Sequence, residues 1–177
     1  IAEHPTQGFL DLYTIKKEHG RLDNLHIGFG GDLLNSRTLR SLLPLLCLYQ
    51  GNKFYFISPK ELALPTDFTQ DLKDKGVDFK EVNNLEENLA ELDVLYMTRV
   101  QKERFSNKED YEKVKDLFIF KKEYLDKLKK EAIIMHPLPK INEIDKEVDS
   151  DPRAVYFKQA QNGLYIRMAL LVYSLDL

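Results

Sequence analysis

Residues 25–57 read LHIGFGGDLLNSRTLRSLLPLLCLYQGNKFYFI, and this stretch decides the fold. Leu25 to Phe29 is a short apolar run closed by Gly30-Gly31-Asp32, the pattern of a strand ending in a turn. From Arg37 to Tyr49, leucine recurs at 39, 42, 43, 45, 46 and 48, which is the spacing of a buried helix, and Gly51 stops it. Phe54 to Ile57 is apolar again and is followed by Pro59. Strand, helix and strand joined by short links imply parallel strands and a right-handed crossover.

The alternation continues on both sides. Residues 8–19 place Phe9, Leu10, Leu12, Tyr13 and Ile15 at helical spacing, and Gly20 ends the run. Thr66 is a candidate N-cap for a helix reaching Lys75, with Gly76 in the C′ place. Val77 to Val82, Val94 to Met97 and Ala132 to Met135 read as the third, fourth and fifth strands, with a short helix at Leu85 to Glu91. Asn142 to Asp151 reads as a loop or a short irregular helix. Gln159 to Leu175 is a long helix with Leu164, Met168, Leu171, Val172 and Leu175 along one side. The expected class is α/β: a Rossmann-like, three-layer domain with a central parallel sheet of about five strands and helices on both faces.

The chain of 177 residues is long enough for one complete core. A net charge of −3 gives no basic field, so nucleic acid is not an expected partner. The lysines between 102 and 130 alternate with Glu and Asp, as on a solvated helical surface. Cys47 is the single cysteine, which excludes an internal disulfide; its apolar neighbours make it a small buried hydrophobe. No apolar run approaches the roughly 18 residues of a membrane span, and no signal peptide opens the chain. The expected location is the cytoplasm, with organelle targeting left open.

In open α/β sheets, ligands bind beyond the carboxyl ends of the strands. The polar motifs fall there: Gly31 to Thr38 after strand one, Thr98 to Arg104 after strand four, His136 to Lys140 after strand five. Arg37 opens a helix, where anions are favoured, although an exposed surface Arg reads as well. Arg99 follows an apolar strand beside Thr98 and Gln101; its planar fork suits a carboxylate, and a surface pair with Glu103 is the plainer alternative. In His136-Pro137-Leu138-Pro139 two prolines fix φ and remove two donors. What is left is a row of carbonyl acceptors suited to an NH₂ group, or simply a rigid loop. His4 reads as a capping or core histidine. The four histidines show no ligand spacing, so no metal is expected. Gly28-Phe29-Gly30-Gly31-Asp32 lacks the third glycine of a dinucleotide motif, Leu33 standing in its place, and strand two ends in Ser58-Pro59 rather than an acid.

Taken in order, His4-Pro5-Thr6-Gln7, Gly20 to Leu25, Gly31-Asp32, Arg37-Thr38, Tyr96 to Arg104, His136 to Pro139 and Gln159 to Leu170 resemble the aspartate carbamoyltransferase family. The likeness runs over essentially the whole chain and implies the second, aspartate-binding domain, residues 1–177. Segments 1–20 and 159–177 would be helices packing toward an N-terminal carbamoyl-phosphate domain. The resemblance implies that His4 and Gln7 contact carbamoyl phosphate, with His4 donating to its carbonyl oxygen as the catalytic group. It implies that Arg37, Arg99 and Gln101 hold the carboxylates of L-aspartate, and that Leu138 and Pro139 offer carbonyls to the carbamoyl NH₂. No cofactor is implied, and a homotrimer is, with a lysine reaching the site from a neighbouring subunit. The related ornithine carbamoyltransferases typically carry Cys where Pro137 stands. Lys140 replaces the Arg common after His-Pro-Leu-Pro, and the family's Ser-Thr-Arg-Thr phosphate loop does not occur in these residues. The alternatives are a silent scaffold homologue, an ornithine enzyme and a dinucleotide module.

Overall fold

A computed structural model describes residues 3–100, 107, 109, 111–112 and 118–176. Five parallel strands, β1 (His26–Gly31), β2 (Lys53–Ile57), β3 (Asp78–Val82), β4 (Val94–Thr98) and β5 (Ile133–Met135), form one sheet in the order β3-β2-β1-β4-β5. Helices α1 (Pro5–His19), α2 (Arg37–Leu46), α3 (Thr66–Asp74) and α4 (Tyr156–Ser174) accompany them.

The two-residue period of a strand sends alternate side chains to opposite faces. Phe54 and Phe56 of β2 and Tyr96 of β4 join a core with Ile15, Leu39, Leu42, Leu43 and Leu72, under the first three helices. Tyr55, Ile57, Leu95 and Met97 join a second core with Leu89, Tyr124, Val148 and Tyr156. The second layer is built from short 3₁₀ helices, Glu86–Glu91, Lys122–Lys127 and Lys146–Ser150. Parallel strands buried on both faces are nearly all apolar for this reason. The edge strand β3 departs from it, with Asp78, Lys80 and Glu81 exposed.

Several boundaries differ from the sequence reading. Helix α2 ends at Leu46, where Cys47 is its C-cap and only half-buried; Leu48 is 77% exposed, so the leucine repeat outruns the burial. Pro65, not Thr66, occupies the N-cap of α3, entering with extended backbone, and Thr66 is the first helical residue. Gly76 has φ 69 after the C-cap Lys75, as expected. Helix α4 begins three residues before Gln159, at Tyr156, which is fully buried. Its Leu164, Met168, Leu171, Val172 and Leu175 are 47–63% exposed. The acidic stretch holds the 3₁₀ turn Lys146–Ser150.

Strand order reverses at β1, whose neighbours are β2 and β4, so a crevice opens beyond their carboxyl ends. Two glycines let the backbone close up there. A Cβ on Gly8 of α1 would lie 2.9 Å from the Ser41 carbonyl oxygen on α2. Gly31 has φ 105, and a Cβ there would lie 2.2 Å from the Thr98 carbonyl oxygen of β4. Gly20 also has positive φ, 72, but nothing stands within 4 Å of its missing Cβ. Gly20→Ala should therefore lose only about 1 kcal/mol, the conformational term. Gly31→Ala adds a backbone collision and should lose roughly 3 kcal/mol or more. Urea unfolding of the two variants checks this, and equal losses would contradict it.

Candidate active site

The switch point holds a cavity of about 210 Å³ built from four segments. Helix α1 supplies His4 and Gln7, α2 supplies Ser36, Arg37 and Thr38, β4 ends in Thr98 and Arg99, and β5 runs into His136 to Pro139. Six of the seven residues singled out from the sequence therefore meet around one space. The seventh, Gln101, lies outside the described residues, as does Glu103.

Each segment is pinned by its own chemistry. His4 is the N-cap of α1 but makes no side-chain cap bond; its backbone N–H donates to Ser41 Oγ at 2.7 Å, and Ser41 Oγ donates to the Arg37 carbonyl at 3.2 Å. Ser36 caps α2, accepting from the Leu39 N–H at 3.2 Å. The first turn of α2 carries no acidic residue, so the positive end of the helix dipole and exposed Arg37 act together on whatever anion enters. Thr98 Oγ1 donates to the Gly30 carbonyl at 3.0 Å and locks the end of β4 to β1. Arg99, half-buried, follows directly.

The β5 loop is held from within. The Leu138 N–H donates to His136 Nδ1 at 2.9 Å, so that nitrogen keeps its lone pair and Nε2 carries the proton. Nε2 stands 2.7 Å from Glu143 Oε1, and neither atom has another partner among the described residues. Glu143 Oε2 accepts from the backbone N–H groups of Ile141 and Asn142, at 3.0 and 3.1 Å. Burial alone would raise the Glu143 carboxyl; the bond from His136 and the backbone N–H groups of Glu143 itself and Ile141 outweigh it and hold it below its ordinary value. His136 is thus spent on shaping the loop, with 1% of its surface exposed. The loop contains a cis Leu138–Pro139 peptide, and Leu138 has φ 50.

Behind the cavity lies Asp11, fully buried on α1. Its Oδ1 accepts from Gln7 Nε2 at 2.9 Å and Gln159 Nε2 at 2.6 Å, and its Oδ2 from the Tyr96 hydroxyl at 2.7 Å. Gln159 Oε1 in turn accepts from the His136 N–H at 2.9 Å. Burial pushes the Asp11 carboxyl up to about 7, against the pull of the bonds from Tyr96, Gln159 and Gln7. The Tyr96 phenol is raised well above its ordinary value, by burial and then by the neighbouring carboxylate, so it is a neutral donor. The sequence reading passed over Asp11 and Glu143, and took Tyr96 and Gln159 only as ends of matching segments, with no role of their own. The signal for Asp11 was present: a charged residue four positions after Gln7 on the buried stripe of α1.

Among the described residues the lining contains two arginines and no carboxylate. It is arranged to hold anions and to accept hydrogen bonds at the loop carbonyls. The hydroxyl of Ser36 caps a helix and that of Thr98 bonds a strand, so neither is set up as a nucleophile. A phosphate cradle after β1 is absent among the described residues. Leu33 N and Leu34 N both donate to the Leu62 carbonyl, and Asn35 N donates to Asp32 Oδ1. No group of three metal-ligating side chains stands together among the described residues.

Residues 23–174 match the family described as aspartate/ornithine carbamoyltransferase, Asp/Orn binding domain. The aspartate carbamoyltransferase catalytic subunit of Lachnoclostridium phytofermentans is 52% identical over 174 residues, 98% of this chain and 57% of that protein. The catalytic subunit of M. jannaschii aspartate transcarbamoylase superposes with a TM-score of 0.88 at 50% identity, over 95% of this chain and 56% of that one. Aspartate transcarbamoylase from Trypanosoma cruzi, in complex with carbamoyl phosphate and aspartate, gives a TM-score of 0.84 at 35% identity, over 96% and 54%. The chain thus spans a little over half the length of these three relatives.

The raised Asp11 carboxyl makes stability depend on pH. Its folded value, about 7, lies above the ordinary 3.8, so between these limits the folded protein keeps a proton that the unfolded chain has lost. The stabilisation is complete below the lower value and disappears as pH rises through the upper one. Asp11→Asn, which does not titrate, should lack this decline. Urea midpoints of both proteins from about pH 4.5 to 8 measure it, and a constant difference between them would contradict the raised value.

Proposed function

This chain belongs to the aspartate/ornithine carbamoyltransferase family, and from that premise we propose that it is the aspartate-binding half of an aspartate carbamoyltransferase. The complete protein transfers the carbamoyl group of carbamoyl phosphate to the α-amine of L-aspartate, giving N-carbamoyl-L-aspartate and phosphate in pyrimidine biosynthesis. The observation that carries this reading is the meeting of His4, Gln7, Arg37, Arg99 and the Leu138–Pro139 loop around one cavity whose lining, among the described residues, holds no carboxylate.

In this reading Arg37 and Arg99, with Gln101, take the two carboxylates of aspartate. Guanidinium forks hold planar carboxylates bidentately and lower their freedom before reaction. His4 and Gln7 take the carbamoyl end, and the carbonyls of Leu138 and Pro139 accept from its NH₂. As the amine attacks, charge grows on the carbonyl oxygen, and His4 stabilises it by donating a hydrogen bond. Phosphate then leaves. Much of the acceleration comes from holding two reactants in line, and no covalent enzyme intermediate is formed. Phosphate binding falls to a carbamoyl-phosphate domain, for which the exposed apolar side of α4 offers a packing surface, so residues 1–177 alone should give no turnover. We place the complete protein in the cytoplasm as a homotrimer, with a lysine from a neighbouring subunit in each site. No described helix is long and apolar enough to cross a membrane.

The arginines favour aspartate over ornithine, since a cationic side chain gains nothing from them. A silent scaffold copy has no use for this set of polar groups around one cavity. The test is a ureido-product assay on the full-length protein, with carbamoyl phosphate and either aspartate or ornithine. Product with aspartate alone is expected; product with ornithine alone, or with neither amine, would overturn the reading. In the same assay Arg99→Ala should act chiefly on the KM for aspartate, losing about 2–4 kcal/mol in kcat/KM. An unchanged kcat/KM would remove Arg99 from the site.

A further inference from the structure

None of the roles assigned above uses Asp11, yet three donors from three elements converge on it. Gln7 comes from one turn earlier on α1, Tyr96 from β4 and Gln159 from α4. Ionised Asp11 only accepts hydrogen bonds, so it selects the NH₂ end of each glutamine amide. For Gln7 this leaves the carbonyl oxygen as the end available to the cavity that Gln7 lines. For Gln159 it leaves the carbonyl oxygen for the His136 N–H, the first residue of the β5 loop. From there the chain of contacts passes through the His136 ring to the Leu138 N–H and to Glu143. Two sides of the cavity are thus referred to one carboxylate oxygen, Asp11 Oδ1.

We propose that Asp11 is a positioning residue for the carbamoyl end of the site: its carboxylate fixes the orientation of Gln7 and, through Gln159, the placing of the loop that carries the Leu138 and Pro139 carbonyls. This rests on the carbamoyl-transfer reading. A proton on Asp11 turns one acceptor into a donor among three donors, so at least one of them must rotate away. Activity should therefore fall as pH drops through the range where Asp11 titrates, near 7. The groups facing Asp11 are Gln7 on its own helix, Tyr96 from β4 and Gln159 from α4, with Thr38 of α2 reaching the Tyr96 hydroxyl. His136 stands behind Gln159, and Lys17 meets Asn162 farther along α1 and α4. Tyr96 remains neutral throughout this range.

The experiment is the pH profile of the full-length protein, wild type against Asp11→Asn, from about pH 5.5 to 9 with each substrate varied in turn. The wild type should show an acidic limb in kcat/KM for carbamoyl phosphate. Asp11→Asn should lose that limb and at least about tenfold in kcat/KM for carbamoyl phosphate, with the KM for aspartate within about threefold of wild type. A wild-type profile in Asp11→Asn, or equal losses for both substrates with the limb in place, would overturn the proposal. If Asp11→Asn does not fold, Tyr96→Phe decides. It removes the donor to Oδ2 and leaves both amides, so the limb should move to higher pH; an unmoved limb would overturn the proposal. If the wild type makes no ureido product, the functional reading fails separately. The crystal structure of Asp11→Asn, or of Tyr96→Phe at a pH above and below 7 where Asp11→Asn does not fold, then decides. Displaced Gln7 and 136–139 backbone would support the role of Asp11, and an unmoved pair would overturn it.

Discussion

A carboxylate buried away from water is costly unless its lone pairs are met, and Asp11 is met by three side-chain donors from three elements. The rest of the site depends on that constraint. Helix α1 cannot slide along α4 without breaking the bond from Gln159, and it cannot lift from the sheet without breaking the bond from the Tyr96 hydroxyl. One turn farther along, Asn162 Nδ2 donates to Thr14 Oγ1 at 3.0 Å, so the two helices are tied at two levels. Gln7, at the start of α1, inherits this rigidity, as does the β5 loop through Gln159. A network that is fully satisfied stiffens its surroundings, and one that loses a member carries a penalty larger than the bond itself.

The sheet provides the frame that this network refines. Two cores on opposite faces hold the strands, and the reversal of strand order at β1 leaves room beyond their carboxyl ends. Close backbone approach at Gly31 brings the end of β1 against Thr98, which is why Arg99 leaves β4 next to the N-terminus of α2. The two arginines reach one cavity from different elements, α2 and the end of β4. Their meeting follows from topology and not from their spacing in the chain.

Much of this was legible in the sequence because it rests on periodicity. The leucines of 39–46, the apolar runs of β1, β2, β4 and β5, and the glycines after α1 and α3 each have a local cause. The errors fall where tertiary burial decides. Leu48 continues the leucine repeat but lies past the end of α2, and Val155 and Tyr156 extend the core at an unmarked helix start. The second layer of 3₁₀ turns has no strong period to announce it. At the cavity, His4, Gln7, Arg37, Arg99, Leu138 and Pro139 could be singled out in advance because motifs carry them. Two of the three partners of Asp11 lie 85 and 148 residues away, at Tyr96 and Gln159, and no local pattern joins them to it. Only the oddity of an acid on an apolar stripe pointed there.

The proposed reaction needs one arrangement: aspartate's carboxylates on Arg37 and Arg99, and a carbamoyl NH₂ on the carbonyls of Leu138 and Pro139. The most direct measurement is a crystal structure of the full-length protein with carbamoyl phosphate and succinate, an unreactive dicarboxylate of aspartate's length. The account predicts both guanidinium groups within hydrogen-bond distance of succinate and both loop carbonyls within reach of the carbamoyl NH₂. Succinate bound away from Arg37 and Arg99, or a carbamoyl group turned with its NH₂ away from the 138–139 carbonyls, would contradict it.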